Sequence, residues 1–167
     1  MKKFFILFAA MVLLSFSNMS AKSSTMVGGG IGYGLDIEEL AIQAGAVFDL
    51  DLPVNIAPDF KYYLIGDTGP VSLSMWELNV NAHYNFNKSK STTFYGIAGL
   101  QYANISTSVD LGPFFGGSTS SSSGEIGLNI GAGANFDLGG FNLMPEIKYT
   151  LGGTEQLHIG ASAMFAI

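Results

Sequence analysis

The chain has 167 residues, enough for one domain, and 12% of them are charged, against about a quarter in soluble domains. It has no cysteine, which excludes a disulfide framework and a thiolate metal site. The net charge is −6 and the seven basic residues are scattered, so the sequence presents no basic surface for nucleic acid.

Residues 1–21 have the pattern of a cleaved signal peptide. Lys2 and Lys3 form a positive start, and residues 4–16 are an apolar run that is short for a membrane span. Ala21 ends the segment with a small residue suited to cleavage. The sequence therefore predicts an exported protein whose mature domain spans residues 22–167.

Beyond the signal peptide, apolar and polar residues alternate with a period of two. Between Trp76 and Phe86, one face carries only apolar and aromatic residues, while the other carries glutamate, asparagine and histidine. Strands separate residues in this way because successive side chains point to opposite faces. Eight segments alternate in this way, and each predicts a strand of about ten residues, the length that crosses a bilayer when tilted: 27–35, 42–49, 56–64, 76–86, 94–102, 126–136, 141–150 and 157–167.

The predicted connections alternate between longer loops and shorter turns. Loops at 36–40, 66–71, 104–124 and 152–155 are assigned to the extracellular side, and turns at 51–54, 87–91 and 137–140 to the periplasmic side. The loop at 104–124 contains a tract of serine and threonine at 118–123, which indicates a mobile, low-complexity segment. Because proline cannot donate to a sheet ladder, Pro58 and Pro145 are expected near strand beginnings.

Charge distinguishes a membrane barrel from a soluble one. The apolar face of the eight segments carries no Asp, Glu, Lys or Arg, as expected of a face that meets lipid, where Lys or Arg at the midplane costs about 2–4 kcal/mol. The sequence therefore predicts an all-β protein, an eight-stranded antiparallel up-and-down transmembrane β-barrel in the bacterial outer membrane. The opposite, inward face carries the charges: Asp49, Asp59, Lys61, Glu77, Glu146 and Lys148.

Aromatic residues on the lipid face concentrate toward the strand ends, as in the two interfacial belts of membrane barrels. The pattern assigns one group to the periplasmic belt: Phe48, Phe60, Tyr84, Phe86, Phe94, Phe136 and Phe141. It assigns a second group to the extracellular belt: Tyr33, Trp76, Tyr102 and Tyr149.

Residues 94–103, which read Phe-Tyr-Gly-Ile-Ala-Gly-Leu-Gln-Tyr-Ala, resemble the fifth-strand signature of the bacterial outer-membrane β-barrel domain family. That family includes the transmembrane domain of outer membrane protein A, outer membrane protein X and the opacity-type porin-like proteins. The resemblance implies that the protein is embedded in outer-membrane lipids and is inserted by the barrel-assembly machinery. The chain departs from the family in ending on Ile167 instead of an aromatic residue, although Phe165 keeps the outward parity.

Few residues of the sequence are candidates for catalysis or metal binding. His83 and His158 both point inward, but strand geometry separates them in height by on the order of 15 Å, so they cannot form one catalytic pair. Ser162 shares the face of His158, and an enzyme would need these two side chains within hydrogen-bond reach. No His, Asp or Glu pattern converges on a metal site, so the sequence assigns no catalytic, cofactor-binding or metal-binding residue.

The inward charges predict a buried polar network. Lys61 and Glu77 flank the loop at 66–71, and antiparallel pairing places them opposite each other. Buried charges must be paired, because an uncompensated charge costs several kcal/mol. We therefore expect Lys61 to pair with Glu77 and Lys148 to pair with a carboxylate in one interior network, which acts as a plug or as a gate. The predicted members are Lys61, Glu77, Glu146, Lys148, Asp59, Tyr63 and Gln101, with Gln43 and Asn129 at similar heights.

Three functions remain open on the sequence alone. The favoured one is a non-enzymatic, monomeric envelope protein whose extracellular loops have a structural or surface-interaction role toward a partner that the pattern does not identify. The alternative is a narrow porin-like channel, since many inward glycines reduce the filling of the barrel. An enzyme inside the barrel, such as a lipase or acyltransferase, is the least favoured.

Overall fold

A computed structural model describes residues 25–50, 52–67, 69–89, 91–110 and 117–167, except for the side chains of residues 87 and 88. The predicted signal peptide at 1–21 lies outside these residues. Within the described ranges, no helix has the length and apolar character needed to cross a bilayer.

Eight antiparallel strands close into one barrel in which each strand pairs with its neighbours in sequence and β1 pairs with β8. This confirms the predicted eight-stranded up-and-down topology. The strands are β1 (Thr25–Gly34), β2 (Glu39–Asp49), β3 (Val54–Tyr63), β4 (Val71–Lys88), β5 (Thr92–Asp110), β6 (Ser118–Asp137), β7 (Asn142–Leu151) and β8 (Gln156–Ala166).

Exposure of the side chains follows strand parity. The outward residues Ile31, Leu100 and Ile126 are 66%, 57% and 72% exposed, whereas the inward residues Lys61 and Glu77 are 2% and 1% exposed. A soluble barrel would have the reverse arrangement, with apolar side chains inside. The apolar face therefore points outward, as the sequence predicts for a lipid-facing surface.

The interior has three layers. We call the end at which β1 begins and β8 ends the base, and the opposite end the top; they correspond to the predicted periplasmic and extracellular ends. A base layer of buried apolar side chains comprises Val47, Ala57, Tyr95, Ile97, Met144 and Met164. A top layer comprises Ala41, Tyr63, Met75 and Ala103. Polar and charged side chains occupy the space between them.

The predicted loop at 104–124 is wrong for most of its length. β5 continues to Asp110 and β6 begins at Ser118, with unbroken pairing from Asn104↔Gly124 to Asp110↔Ser118. These two strands and β4 have 19, 20 and 18 residues, not about ten. Of the predicted mobile tract, residues 118–123 are all in a strand; residues 111–116 lie outside the described part.

The physical reason lies in the partner strand. Ile105, Thr107 and Val109 of β5 are β-branched residues that favour extended backbone. Once β5 is extended, its backbone groups can pair with those of the serine tract across the hairpin, and the ladder orders a segment whose own composition indicates disorder. A prediction from the composition of the serine tract alone cannot take its pairing with β5 into account.

The two prolines lie further into their strands than predicted, and each interrupts one ladder. The β2–β3 pairing passes from Gly45↔Asp59 to Phe48↔Ile56, so no pair is formed at Pro58 on that side. The β6–β7 pairing has the same gap at Pro145. Each proline still faces a partner on its other side. Because proline has no backbone N–H, the ladder is lost on one side only.

One aromatic assignment is also wrong. Phe60 is predicted in the periplasmic belt, but its ring stacks on that of Trp76 with centroids 6.0 Å apart, and Trp76 in turn lies 5.6 Å from Tyr102. Phe60 is opposite Leu78, two residues from Trp76 on β4, and such diagonal neighbours are within reach of aromatic side chains. Phe60 therefore joins the aromatic group of Trp76 and Tyr102, which belongs to the belt nearer the top.

Candidate functional site

Lys61 and Glu77 lie directly opposite each other on β3 and β4. Lys61 Nζ is 3.6 Å from Glu77 Oε2, and both side chains are almost completely buried. Tyr63 Oη donates to Glu77 Oε1 at 2.8 Å, and Gln156 Nε2 donates to Tyr63 Oη at 2.5 Å. A carboxylate and an ammonium group thus share a buried site in which a phenol stabilises the negative charge.

Lys148 forms the centre of a second charged group. Its Nζ lies 3.1 Å from Asp59 Oδ2 and 3.7 Å from Glu146 Oε2, so one ammonium serves two carboxylates. Asn79 and Asn81 donate to the two oxygens of Asp59 at 3.0 and 2.9 Å. Amide and ammonium donors together therefore surround the Asp59 carboxylate.

A set of amide side chains extends this second group across the barrel. Asn129 Nδ2 donates to Asn79 Oδ1 at 2.8 Å and to Asn81 Oδ1 at 2.9 Å. Thr150 Oγ1 donates to Asn129 Oδ1 at 2.9 Å, and Gln101 Nε2 donates to Thr150 Oγ1 at 3.3 Å. β4, β5, β6 and β7 are connected in this way through their inward side chains.

Glu146 links the second group to two aromatic rings near the base. Tyr95 Oη donates to Glu146 Oε1 at 2.9 Å, and His83 Nε2 lies 3.6 Å from the same oxygen. The rings of His83 and Tyr95 stack with centroids 4.4 Å apart and planes 11° from parallel. The stack fixes both rings beside the carboxylate.

All seven residues predicted for the interior network lie in the barrel interior and take part in these contacts. In the described part of the chain, the contacts form two groups: one contains Lys61, Glu77 and Tyr63, and the other contains Asp59, Gln101, Glu146 and Lys148. The predicted neighbour Gln43 instead donates to Ser162 Oγ at 2.7 Å. Across both groups, two lysines face three carboxylates.

Several contributors were missing from the predicted set: Asn79, Asn81, Thr150 and Gln156. Asn79 and Asn81 follow Glu77 on the same inward face of β4, so strand parity could have found them. Parity alone does not show which inward amides meet across the barrel, and that depends on how the sheet closes.

The residues that would distinguish an enzyme do not form a pair. Ser162 Oγ accepts the hydrogen bond from Gln43, while neither ring nitrogen of His158 has a hydrogen-bond partner. His158 lies instead over the backbone of Gly32 and Gly160, where a Cβ atom would contact its ring. Among the described residues, no group of three His, Asp or Glu side chains could hold a metal ion.

A second feature, outside the barrel, is a three-stranded sheet that rises from the top. β5 and β6 pair beyond Asn104↔Gly124, while the β6–β7 pairing begins only at Leu128. Thr154 at the top donates to Glu125 Oε2 at 3.1 Å. Of the strands that the structure describes, none pairs with the outer side of residues 118–124, which we call the β6 edge.

The direction of the backbone groups along the β6 edge follows from one hydrogen bond. The N–H of Asp110 donates to Pro70 O at 2.8 Å, so the backbone groups of Asp110 point toward β4. Because this direction alternates along a strand, the backbone groups of Val109 point toward β6. Those of its partner Thr119 point toward β5. The backbone N–H and C=O groups of Ser118, Ser120 and Ser122 therefore point to the open side.

Comparisons with known proteins agree with this architecture. The chain is similar in fold to Ail, the attachment invasion locus protein of Yersinia pestis, with 16% identity over 89% of this chain and 100% of that chain and a TM-score of 0.61. It is similar to the N-terminal β-barrel domain of Pseudomonas aeruginosa OprF, with 16% identity, the same two coverages and a TM-score of 0.65.

A major outer membrane protein from Thermus thermophilus is also similar, with 13% identity over 88% of this chain and 100% of that chain and a TM-score of 0.68. No curated protein matches the chain in sequence. The family model of the outer membrane protein beta-barrel domain matches residues 8–165. The chain therefore belongs to the outer membrane protein beta-barrel domain family and is a transmembrane β-barrel of the outer membrane.

Proposed function

We propose that this protein is a non-enzymatic surface protein that binds extended, basic segments of extracellular proteins along the β6 edge. The observation that carries the proposal is the row of outward backbone groups at Ser118, Ser120 and Ser122, above the apolar outer surface of the barrel. An open strand edge is a template for a further strand, and many proteins bind peptides by adding one in this way.

Within the described residues, the edge lacks three features that often protect an exposed strand: proline, charge and a bulge. Residues 118–124 contain no proline and no charged residue, and their pairing with β5 has no bulge. Seven residues in extended conformation span roughly 24 Å. That length suits a partner segment of about the same number of residues, whose main-chain hydrogen bonds would supply the affinity.

Charge supports a basic partner. The top loops and the adjoining strand ends carry seven acidic residues and no Lys or Arg: Asp36, Glu38, Glu39, Asp67, Asp110, Glu125 and Glu155. Such a surface attracts cationic segments and repels anionic ones. Ail has been crystallised with sucrose octasulfate, a heparin analogue; the acidic top of this chain does not suit such a polyanion.

The non-enzymatic part of the proposal is supported by the side chains inside the barrel. Ser162 and His158 do not form the nucleophile–base pair that a serine enzyme needs. Most of the polar side chains in the middle of the barrel form hydrogen bonds or ion pairs with one another. This is expected of a scaffold that holds the three-stranded sheet at the top in place.

Binding of a basic β-forming peptide to the protein in lipid nanodiscs tests the proposal. Ser120→Pro removes an outward N–H while leaving the β5 ladder in place, so we expect binding to fall at least about tenfold, equivalent to 1.4 kcal/mol. Ser120→Ala keeps the N–H and is the matched control, which should bind like the wild type.

A second control separates strand addition from simple charge attraction. The same peptide with alternate N-methylated backbone amides keeps its charge but cannot pair along one edge. Equal binding of the methylated and unmethylated peptides, or of the Ser120→Pro and Ser120→Ala variants, would contradict the proposal.

A further inference from the structure

The outer face of the three-stranded sheet at the top carries a regular array of serine side chains, which we call the serine face. It has two rows, and within each row the residues of β4, β5 and β6 are directly opposite one another. The lower row is Ser74, Ser106 and Ser122, and the upper row is Ser72, Ser108 and Ser120. Residues opposite each other have Cβ atoms roughly 5 Å apart, so six hydroxyl groups lie close together on one surface.

The serine face continues the lipid-facing surface of the barrel. Ser74 is two residues from Trp76 on β4 and therefore points to the same side. The ring of Trp76 lies 5.6 Å from that of Tyr102, and a Cβ atom at Gly124 would contact the hydroxyl group of Tyr102. Ser106 Oγ donates to Asn104 Oδ1 at 3.3 Å, as expected of two side chains on one face. The serine face thus begins directly above the aromatic belt nearer the top.

The height of the serine face fits the headgroup layer of the outer leaflet. Aromatic belts lie at the membrane–water interface, and the headgroup layer of a phospholipid leaflet is roughly 5–7 Å thick. At about 3.3 Å per residue and a tilt of about 40°, the two rows lie roughly 5 and 10 Å above Trp76. A phospholipid headgroup would reach the lower row, whereas a headgroup with two sugar rings would reach both.

The chemistry of the serine face suits an uncharged group with many hydroxyls. A serine hydroxyl can both donate and accept a hydrogen bond, as a sugar hydroxyl can. Neither row contains a charged residue, whereas sites for phosphate are rich in arginine and lysine. The acidic residues of the top loops and strand ends also repel anions. These features favour a sugar over a phosphate group.

We propose that the serine face binds the sugar headgroup of a glycolipid in the outer leaflet of the membrane. The serine hydroxyls donate to and accept from the sugar hydroxyls, while the acyl chains of the same lipid contact the apolar surface below Trp76. Two parts of one ligand thus match two parts of one continuous surface. The site uses serine side chains and not the backbone groups of the β6 edge, so it does not depend on the peptide binding proposed above.

Native mass spectrometry of the protein released from lipid nanodiscs tests this site by counting the lipids that stay bound. The nanodiscs contain phosphatidylcholine with equal small fractions of digalactosyl diacylglycerol, whose sugar headgroup is uncharged, and of phosphatidylglycerol, whose headgroup is anionic. We expect the wild-type protein to retain the glycolipid over phosphatidylglycerol by at least about threefold, since each net hydrogen bond adds only a modest free energy. Replacement of the lower row by Ser74→Ala, Ser106→Ala and Ser122→Ala together should abolish this preference.

The matched control removes three hydroxyls from the inner face of the same sheet, by Thr107→Ala, Ser121→Ala and Ser123→Ala together. It should keep the preference of the wild-type protein. Heat-dependent mobility on a gel reports whether each variant is folded, and if the lower-row variant does not fold, Ser106→Ala alone should reduce the preference. Equal retention of the two lipids by the wild-type protein, or an equal loss of preference in the two triple variants, would overturn the inference.

Discussion

At the scale of the residue, the unusual feature is burial of full charges inside a membrane protein. Lys61 and Lys148 are 2% and 3% exposed, although lysine is almost never fully buried unless it is paired. Lys61 has one carboxylate within 4 Å and Lys148 has two. Removal of either lysine would leave a carboxylate of the barrel interior without its nearby cation.

We predict that Lys61→Met destabilises the barrel by about 3–5 kcal/mol, because Glu77 stays buried without its cation. Glu77→Gln should also destabilise, and the double variant should cost less than the sum of the two. Equilibrium unfolding in urea with lipid vesicles measures all three. Glu155→Gln, an exposed change at the top, should alter stability by no more than about 0.5 kcal/mol. Strict additivity of the Lys61 and Glu77 variants would show that the pair is not coupled.

At the scale of the element, β4, β5 and β6 differ from the other strands by continuing beyond the barrel. The inner side of β6 is paired with β5 from Ser118 to Phe136, while residues 118–124 have an open outer side. Successive residues of one strand therefore have different partners for their backbone amides. A disordered serine tract would show no such alternation.

Hydrogen exchange should reveal this alternation directly. The amides of Thr119, Ser121 and Ser123 point toward β5 and should exchange slowly, whereas those of Ser118, Ser120 and Ser122 should exchange much faster. NMR of the protein in nanodiscs resolves the individual amides. Uniformly fast exchange along residues 118–123 would contradict the paired strand and favour the mobile loop that composition predicts.

At the scale of the whole molecule, the layers of side chains in the interior determine whether a path for solutes runs through the barrel. An apolar layer near the base, two polar groups in the middle and an apolar layer at the top lie across the barrel in sequence, with a cavity of about 260 Å³ at the base end. Eight strands leave an interior that side chains roughly fill. The narrow channel that the sequence left open would require several of these side chains to move together.

We therefore expect the purified protein to produce no discrete conductance steps in planar bilayers. Lys61→Met tests whether the polar middle is the barrier, and it should also give none, because both apolar layers remain. Discrete steps from the wild-type protein would favour the porin-like channel over the filled scaffold.

The sequence by itself determined the features that depend on strand parity. A period of two assigns each side chain to the lipid or the interior, and the spacing across a short connection places Lys61 opposite Glu77 on neighbouring strands. Both are local properties, because alternation and hairpin register involve residues close in sequence. The strand number and the orientation of the apolar face followed from the same pattern, whereas the family resemblance rested on residues 94–103.

Only the tertiary structure decided which distant residues meet. Lys148 reaches Asp59 across 89 positions of sequence, and Asn129 joins Asn79 and Asn81 from a strand that is not adjacent to theirs. Those contacts depend on the tilt and closure of the sheet, which set the barrel radius and stagger. The order of the serine tract has the same origin, since its backbone partners belong to another strand. Composition and parity describe one strand at a time, whereas closure brings all eight around one interior.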